Sequence, residues 1–457
     1  MKETSFETDY LVIGAGAAGM AFTDSLIAHS DAKVIMVDRR HAPGGHWNEA
    51  YPFVRLHQPS AYYGVNSLPL EQDWIDRHGT NRGYAECASG PEIEAYFRRV
   101  MEQQLLPSGQ VRYFPMCNYD GEHRFTSLVS GQTFEVNVRR KVVDARYLQP
   151  SVPASTPPPF SVADGVRCIP VNDLTRVSEK ADRMVIIGAG KTAMDACLWL
   201  LDLGVPPESI CWIKPRDAWL TNRKYFQPGD LAFEGNSLAV EAAAHAASMR
   251  DIYAHLERCG YMVRIDENRE PEIFRYATIN ELELAQLRNI RNVVRLGKIR
   301  HIDQNEIVLN DGAISASKQD IHVHCAAAGL NSAPGVPIFA PAKITLQPIL
   351  IGLTPLAAAM TGYIEAAFDD LDEMNNFCPP NPYPNITSDL VRGLLTQLKA
   401  TSEWFGRPEL AAWLEQARLN PIRGIATRAD EPHVRQSMTR FLQNADAAVT
   451  NLERLRH

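Results

Sequence analysis

The sequence predicts an α/β chain with two parallel-sheet units and a helical C-terminal segment. Three observations carry that prediction. An apolar run at 10–13 leads straight into Gly14, Gly16 and Gly19, the spacing G-x-G-x-x-G, with a helical pattern behind it. A second strand-like run at 183–187 leads into Gly188, Gly190 and Ala193, the spacing G-x-G-x-x-A, again followed by a helical pattern. Between the two, Pro150, Pro153, Pro157, Pro158 and Pro159 stiffen a crossing segment that reads as a domain boundary. Strand, glycine turn and helix in that order begin a Rossmann-like dinucleotide-binding domain, so the fold class is α/β with two such domains.

The first unit spans 10–38. Gly14 permits the tight turn, Gly16 lets the backbone approach a pyrophosphate, and Gly19 lets the helix pack close to the strand. The helix N-terminus offers free N–H groups to phosphates. The next apolar run, 34–37, ends in Asp38, whose carboxylate accepts hydrogen bonds from a ribose, with Arg39 beside it. Gly44, Gly45, His46 and Trp47 follow as a loop suited to approach something flat. The stretch 51–69 is dense in aromatic and polar residues without clean periodicity, and reads as an irregular layer lining a site. Residues 91–106 form an amphipathic helix with Pro91 at its start and Gly109 after its end. Residues 111–147 alternate and read as a small antiparallel meander.

In the second unit a helix runs from the glycines to about residue 203. Lys191 and Thr192 complete a "GKT" that mimics a phosphate-loop NTPase. That motif needs a glycine five residues before Gly190, where Val185 stands, so it is excluded. The next strand, 209–213, ends in Lys214-Pro215-Arg216. Cations where the first unit has Asp38 suit a ribose carrying a 2′-phosphate, so this site reads as NADPH rather than NADH. Arg223 and Lys224 are weaker contenders for the same phosphate. Helices are expected at 238–259 and 281–291, then strands at 293–300, 302–309 and 320–327, with a hairpin turn at Asn310-Asp311-Gly312. His322 and His324 read as positions on a strand inside a sheet rather than as metal ligands, and no metal site is expected. Residues 346–367 give a strand, a glycine turn and a small-residue helix. Residues 385–456 are amphipathic helices without a motif, read as a cap or as an interface for a homodimer.

Composition removes several classes. A chain of 457 residues is too long for one core. A net charge of −8 argues against nucleic acid as a partner. The cysteines are scattered with no C-x-x-C pair, against a local redox disulfide or zinc site and in keeping with a cytoplasmic protein. The first residues lack the apolar core of a secretory signal. No stretch reaches the ~18 uninterrupted apolar residues of a membrane helix. Two dinucleotide fingerprints, one tuned to NADPH, make FAD the economical occupant of the other, since a flavin takes a hydride and passes on electrons.

At this point the order of segments resembles the flavin-containing monooxygenase superfamily, the class B, single-component FAD/NADPH monooxygenases, over about residues 8–370. The first glycine motif with Asp38 matches its FAD fingerprint. Gly44-Gly45-His46-Trp47 resembles its GG-x-W. Residues 63–69 resemble the stretch carrying an asparagine close to the flavin, here Asn66. The second glycine motif matches its NADPH fingerprint. The superfamily's F-x-G-x-x-x-H-x-x-x-[FYWD] fingerprint is absent, and residues 157–170 stand in its place. Asp144-Ala145-Arg146 occupies the position of a usual A-T-G turn, and Ile351-Gly352-Leu353 that of a usual acid.

The resemblance implies a glutathione-reductase-like plan with a discontinuous FAD-binding domain at 1–160 and 320–384, an NADPH-binding domain at 161–319, and a helical extension at 385–457. It implies reduction of FAD by NADPH and reaction with O2 to a C4a-(hydro)peroxyflavin. Oxygen then passes to nitrogen, sulfur or a ketone of a small organic substrate. On this reading Asn66 orients the flavin C4a region. The 51–66 layer, with Arg55 and His57, faces the flavin or substrate, and His57 has a reference pKa suited to acid or base work. Gln347 and Gly352 belong to the C-terminal FAD segment. The alternative is an NADPH-dependent reductase or dehydrogenase that inserts no oxygen, or a flavin-binding protein without turnover.

Overall fold

The computed structural model describes residues 4–70, 74–327, 329 and 333–456. The first unit opens with β1 (Ser5–Ile13), α1 (Ala17–Ala28) and β2 (Val34–Val37). All of β2 and the last four residues of β1 are buried, as strands covered on both faces must be. Next come α2 (Gly90–Val100), β3 (Val111–Phe114), β4 (Cys117–Gly121), β5 (Arg124–Ser127) and β6 (Thr133–Asp144). Ser89 and Glu92 cap the start of α2 reciprocally. The strand order is β3-β2-β1-β6-β5-β4.

The meander expected at 111–147 is smaller than its alternation suggests. β3 pairs in parallel with β2 and belongs to the dinucleotide sheet. Only β4, β5 and the start of β6 are antiparallel. β6 is one long strand with two tasks. Its first half alternates in exposure beside β5, and its last residues run buried between β1 and a returning strand.

The second unit contains β7 (Ser161–Val162), β8 (Cys168–Pro170), β9 (Met184–Ile187), α3 (Lys191–Asp202) and β10 (Ile210–Ile213). An insertion follows: β11 (Ala218–Asn222), α4 (Asp230–His245), α5 (Met249–Arg258), β12 (Met262–Val263) and β13 (Ile273–Ile279). The chain continues through α6 (Glu281–Leu287), β14 (Val293–Val294), β15 (Ile299–Ile302), β16 (Glu306–Leu309), β17 (Gly312–Ser315) and β18 (Ile321–His324). The parallel sheet here has the order β14-β10-β9-β18-β8. β18 therefore lies in the second sheet, in register with β9, and not in the first as a return at residue 320 would require. An apolar run with two histidines carries no label of which sheet it joins. Only the position of β9 in the fold decides that pairing.

The return to the first sheet is made by β19 (Lys343–Thr345), which pairs in parallel with β6. α7 (Thr354–Ala367) then packs on α1. Gly362 of α7 sits so near α1 that a Cβ there would lie 2.4 Å from the Phe22 carbonyl oxygen. The chain ends with α8 (Leu371–Phe377), α9 (Asp389–Phe405), α10 (Pro408–Gln416) and α11 (Pro432–Leu455). α11 lies along α4, and Ala448 and Leu452 share a core with Val240, Ala243 and Leu390. The C-terminal helices thus bury their apolar faces inside this chain. Among the described residues, no helix is long and apolar enough to cross a membrane.

Candidate functional site

A cavity of about 620 Å³ opens at the C-terminal ends of β1 and β2 and extends to the residues that follow β18. That size suits a cofactor-class ligand. Its lining takes Gly14, Gly16, Asp38 and Arg39 from the first unit, and Thr192 and Cys325 from the second. Ligands of parallel α/β sheets bind at this edge because the strand ends and helix N-termini converge there.

The first glycine motif behaves as its chemistry requires. Gly14 has φ +111°, and a Cβ on Gly19 would lie 2.0 Å from the Gly14 carbonyl oxygen, so α1 can meet the turn only through glycine. Gly16 and Gly45 touch backbone to backbone, with a Cβ on Gly45 falling 3.0 Å from the Gly16 Cα. The cavity floor is therefore bare main chain. α1 has Gly16 as its N-cap, no side-chain cap and no acid in its first turn, which leaves its N–H groups for an anion. Asp38 accepts N–H bonds from Ala15 at 2.7 Å through Oδ2 and from Arg40 at 2.8 Å through Oδ1. Each oxygen keeps acceptor capacity for a ribose hydroxyl. At the other end, Gly352, Thr354 and Pro355 bring the uncapped N-terminus of α7 to the cavity wall. Gly352 has φ +83°, and a Cβ there would lie 2.9 Å from the Tyr276 ring. These residues fit FAD.

Trp47 is buried, lines the cavity and donates its indole N–H to the Tyr63 hydroxyl at 2.8 Å. Tyr63, also in the wall, is fixed from a distant part of the chain. The Arg418 guanidinium donates to the carbonyls of Ala61 at 2.7 Å, Tyr63 at 2.7 Å and also Val65. Nothing in the local sequence around 418 signals this. His46 stacks on Trp47 at 5.2 Å, and burial, with the Arg40 cation, pulls its pKa down to about 4.

The second motif is similar in backbone and different in surroundings. Gly190 is the N-cap of α3, without a side-chain cap, and a Cβ added there would meet nothing within 4 Å. That open space over a helix N-terminus fits a dinucleotide pyrophosphate. Gly188 has φ +144° and packs against Cys325. Thr192 reaches the cavity, whereas Lys191 pairs with Asp195. Lys214 departs from its expected role. Its side chain is 3% exposed, donates to Asp217 at 2.6 Å and lies over the Trp212 ring. Arg295 and Asp266 extend this ion cluster. A lysine so enclosed cannot hold a 2′-phosphate. Arg223 is likewise buried, paired with Glu283 at 2.9 Å. Arg216 has no ion-pair partner among the described residues and stands near Arg275, whose pKa is lowered by burial and then by Arg216.

Three further expectations need correction. Asn66 is absent from the cavity lining, and its Oδ1 accepts the Leu419 N–H at 3.3 Å, so it fastens the C-terminal segment. Arg55 is exposed and donates to the Cys87 carbonyl at 3.0 Å. Its neighbours Val54 and Leu56 line the cavity instead, because extended backbone sends alternate side chains to opposite sides. Gln347 is buried against Val336, donating to its carbonyl at 2.6 Å and accepting its N–H at 3.1 Å, and it does not reach the cavity. His57 does line the cavity. Burial, then the Lys191 and Arg223 cations, push its pKa well below the usual value, so it stands neutral. In that state its ring offers one donor and one acceptor rather than a charge.

No protein-family model matches the chain. Solved structures similar to it include a cyclohexanone monooxygenase with cyclohexanone bound, at 14% identity, TM-score 0.49, and coverage of 79% of this chain and 88% of that one. A steroid monooxygenase bound to NADP is similar at 15% identity and TM-score 0.48, covering 79% of this chain and 86% of that one. A flavin-containing monooxygenase from Stenotrophomonas maltophilia is similar at 13% identity and TM-score 0.45, covering 82% of this chain and 99% of that one. In sequence, the chain is 44% identical over 444 residues to the uncharacterized protein Rv2000 of Mycobacterium tuberculosis (strain ATCC 25618 / H37Rv), which covers 96% of this chain and 82% of that protein. The uncharacterized protein Mb2023 of Mycobacterium bovis matches at the same 44% identity over 444 residues. The chain therefore belongs to the family of these mycobacterial proteins, which it matches over nearly its whole length.

Proposed function

We propose that the chain is an FAD-dependent, NADPH-consuming monooxygenase of the flavin-containing monooxygenase superfamily that oxygenates a small organic substrate. The observation that carries the reading is one cavity lined by the first glycine motif and by Thr192, directly behind the second, with uncapped helix N-termini at Gly16 and Gly190. Asp38 holds the adenosine ribose and the α1 N–H groups hold the pyrophosphate. Trp47 and Tyr63 wall the ring end, where the N-terminus of α7 favours negative charge. Gly190 and the first turn of α3 receive the second pyrophosphate, and Arg216 takes the 2′-phosphate that Lys214 cannot. When bound, FAD supplies a carrier that accepts a hydride from NADPH and returns electrons to O2. The protein orients both dinucleotides, keeps His57 neutral beside them, and excludes water with Val54 and Leu56. Oxygen transfer, to nitrogen, sulfur or a ketone, rests on the resemblance of the GG-x-W and of the two glycine motifs to that superfamily.

A second reading has a specific observation behind it. Asn66 is engaged by Leu419 and not by the cavity, which favours a reductase or dehydrogenase that inserts no oxygen. Simultaneous measurement of NADPH oxidation, O2 uptake and H2O2 release, with amine, sulfide and ketone substrates, separates the two. A monooxygenase consumes NADPH and O2 one to one and yields oxygenated product in place of H2O2 with at least one class. NADPH oxidation that yields only H2O2 with every class, and that proceeds without O2 when an organic electron acceptor is present, supports the reductase.

A further inference from the structure

Tyr51 stands in the cavity wall and is bonded to the helix of the other unit. Its hydroxyl donates to Oδ2 of Asp195 at 2.6 Å. The second oxygen of Asp195 takes the Lys191 ammonium, four residues back at the first position of α3. The Lys191 and Asp195 side chains are only 11% and 12% exposed, so little solvent screens the pair. Thr192, next to Lys191, lines the same cavity as Tyr51. The chain Lys191–Asp195–Tyr51 thus runs from the start of the second glycine motif's helix to the cavity wall.

The position of Lys191 is unusual on physical grounds. A cation in the first turn of a helix opposes the positive end of the dipole, and Asp195 at i+4 offsets that cost. Immediately beside it, Gly190 leaves open space over uncapped N–H groups. A pyrophosphate entering that space brings negative charge within reach of the ammonium and competes with Asp195 for it. Asp195, deprived of its cation, is left with the Tyr51 hydroxyl as its nearest donor. Any shift of the carboxylate moves the phenol that faces the cavity.

We propose that Lys191, Asp195 and Tyr51 form a relay that couples occupation of the second dinucleotide site to the flavin-facing wall. Lys191 contacts the pyrophosphate, and Asp195 and Tyr51 are positioning residues. The inference rests on the FAD and NADPH reading of the two units. It adds the route by which one site senses the other.

The test is a titration of the FAD-loaded protein with NADP+, which binds without reducing the flavin. Flavin visible absorbance reports the ring environment, and calorimetry reports binding independently. The wild type is expected to give a flavin difference spectrum that saturates with the calorimetric affinity. Tyr51→Phe keeps the fold and removes one hydroxyl. It is expected to bind NADP+ within about twofold of wild type while losing most of the difference spectrum. Asp195→Asn, nearly isosteric, is expected to lose it as well. Lys191→Met is expected to weaken NADP+ about tenfold. A wild-type difference spectrum in Tyr51→Phe or Asp195→Asn, at equal saturation, overturns the relay and leaves the two-site reading standing. A wild type that retains FAD yet shows no heat with NADP+ overturns the relay and the second-site reading together.

Discussion

The two glycine units have nearly the same local sequence and meet different fates at the end of the strand that follows. In the first, Asp38 turns back onto the motif, accepts the Ala15 and Arg40 N–H groups, and still faces the cavity. In the second, Lys214 turns away from the motif into a buried cluster with Asp217 and Arg295. The backbone roles of the glycines are local, so they repeat. The role of the charge at the strand end depends on what the rest of the fold places beside it. A carboxylate finds N–H donors in the turn itself. A lysine there finds only other N–H groups, and its nearest acceptor is a carboxylate three residues on.

Replacing Asp217 with Ala puts the sharpest strain on this contrast. Lys214 is left buried beside Arg295 without its carboxylate, and stability should fall by about 3–5 kcal/mol, read by chemical denaturation. A loss near zero would mean that Lys214 reaches solvent and is free for phosphate after all. Gly19→Ala attacks the first unit. The Cβ has no room against the Gly14 carbonyl, so about 3 kcal/mol of stability and FAD retention should be lost together. Arg418→Ala removes charge-assisted bonds to the wall that carries Tyr63, with an expected cost of about 2 kcal/mol and a loss of FAD at equal protein folding.

Smaller effects separate the cations of the second unit. Arg216→Ala should cut the NADPH-over-NADH preference about tenfold, the ratio that about 1.4 kcal/mol supports. Lys214→Met should leave that preference unchanged, and an equal effect of both substitutions would restore Lys214 to the phosphate. Gly190→Ala should change thermal stability least, since its Cβ enters empty space, while NADP+ binding should weaken if the pyrophosphate takes that space as proposed.

The same contrast explains what could be read without coordinates. The glycine turns, the parallel strands around them and Asp38 were legible because each follows from a local backbone demand. The meander is smaller than the alternation at 111–147 implies, because β3 is short and pairs in parallel with β2 at the far edge of the same sheet. The sheet membership of β18, the engagement of Asn66 with Leu419, and the Arg418 grip on Ala61, Tyr63 and Val65 were not legible. Each depends on a partner far away in the chain. Arg55 and His57 show the intermediate case. Both lie in the correct stretch; alternation turns Arg55 away while Val54 and Leu56 face the cavity, and the bend at 57–58 breaks the alternation and brings His57 to it as well. Asp195 had a local signal, four residues after Lys191 on a helix, where an ion pair is expected.

In the proposed function one cavity serves two dinucleotides, and electrons pass between them. Anaerobic rapid mixing of the FAD-loaded protein with NADPH tests it most directly. The oxidised flavin absorbance should bleach with one NADPH per flavin, and more slowly with NADH. A protein that holds FAD but whose flavin stays oxidised with either coenzyme would contradict it.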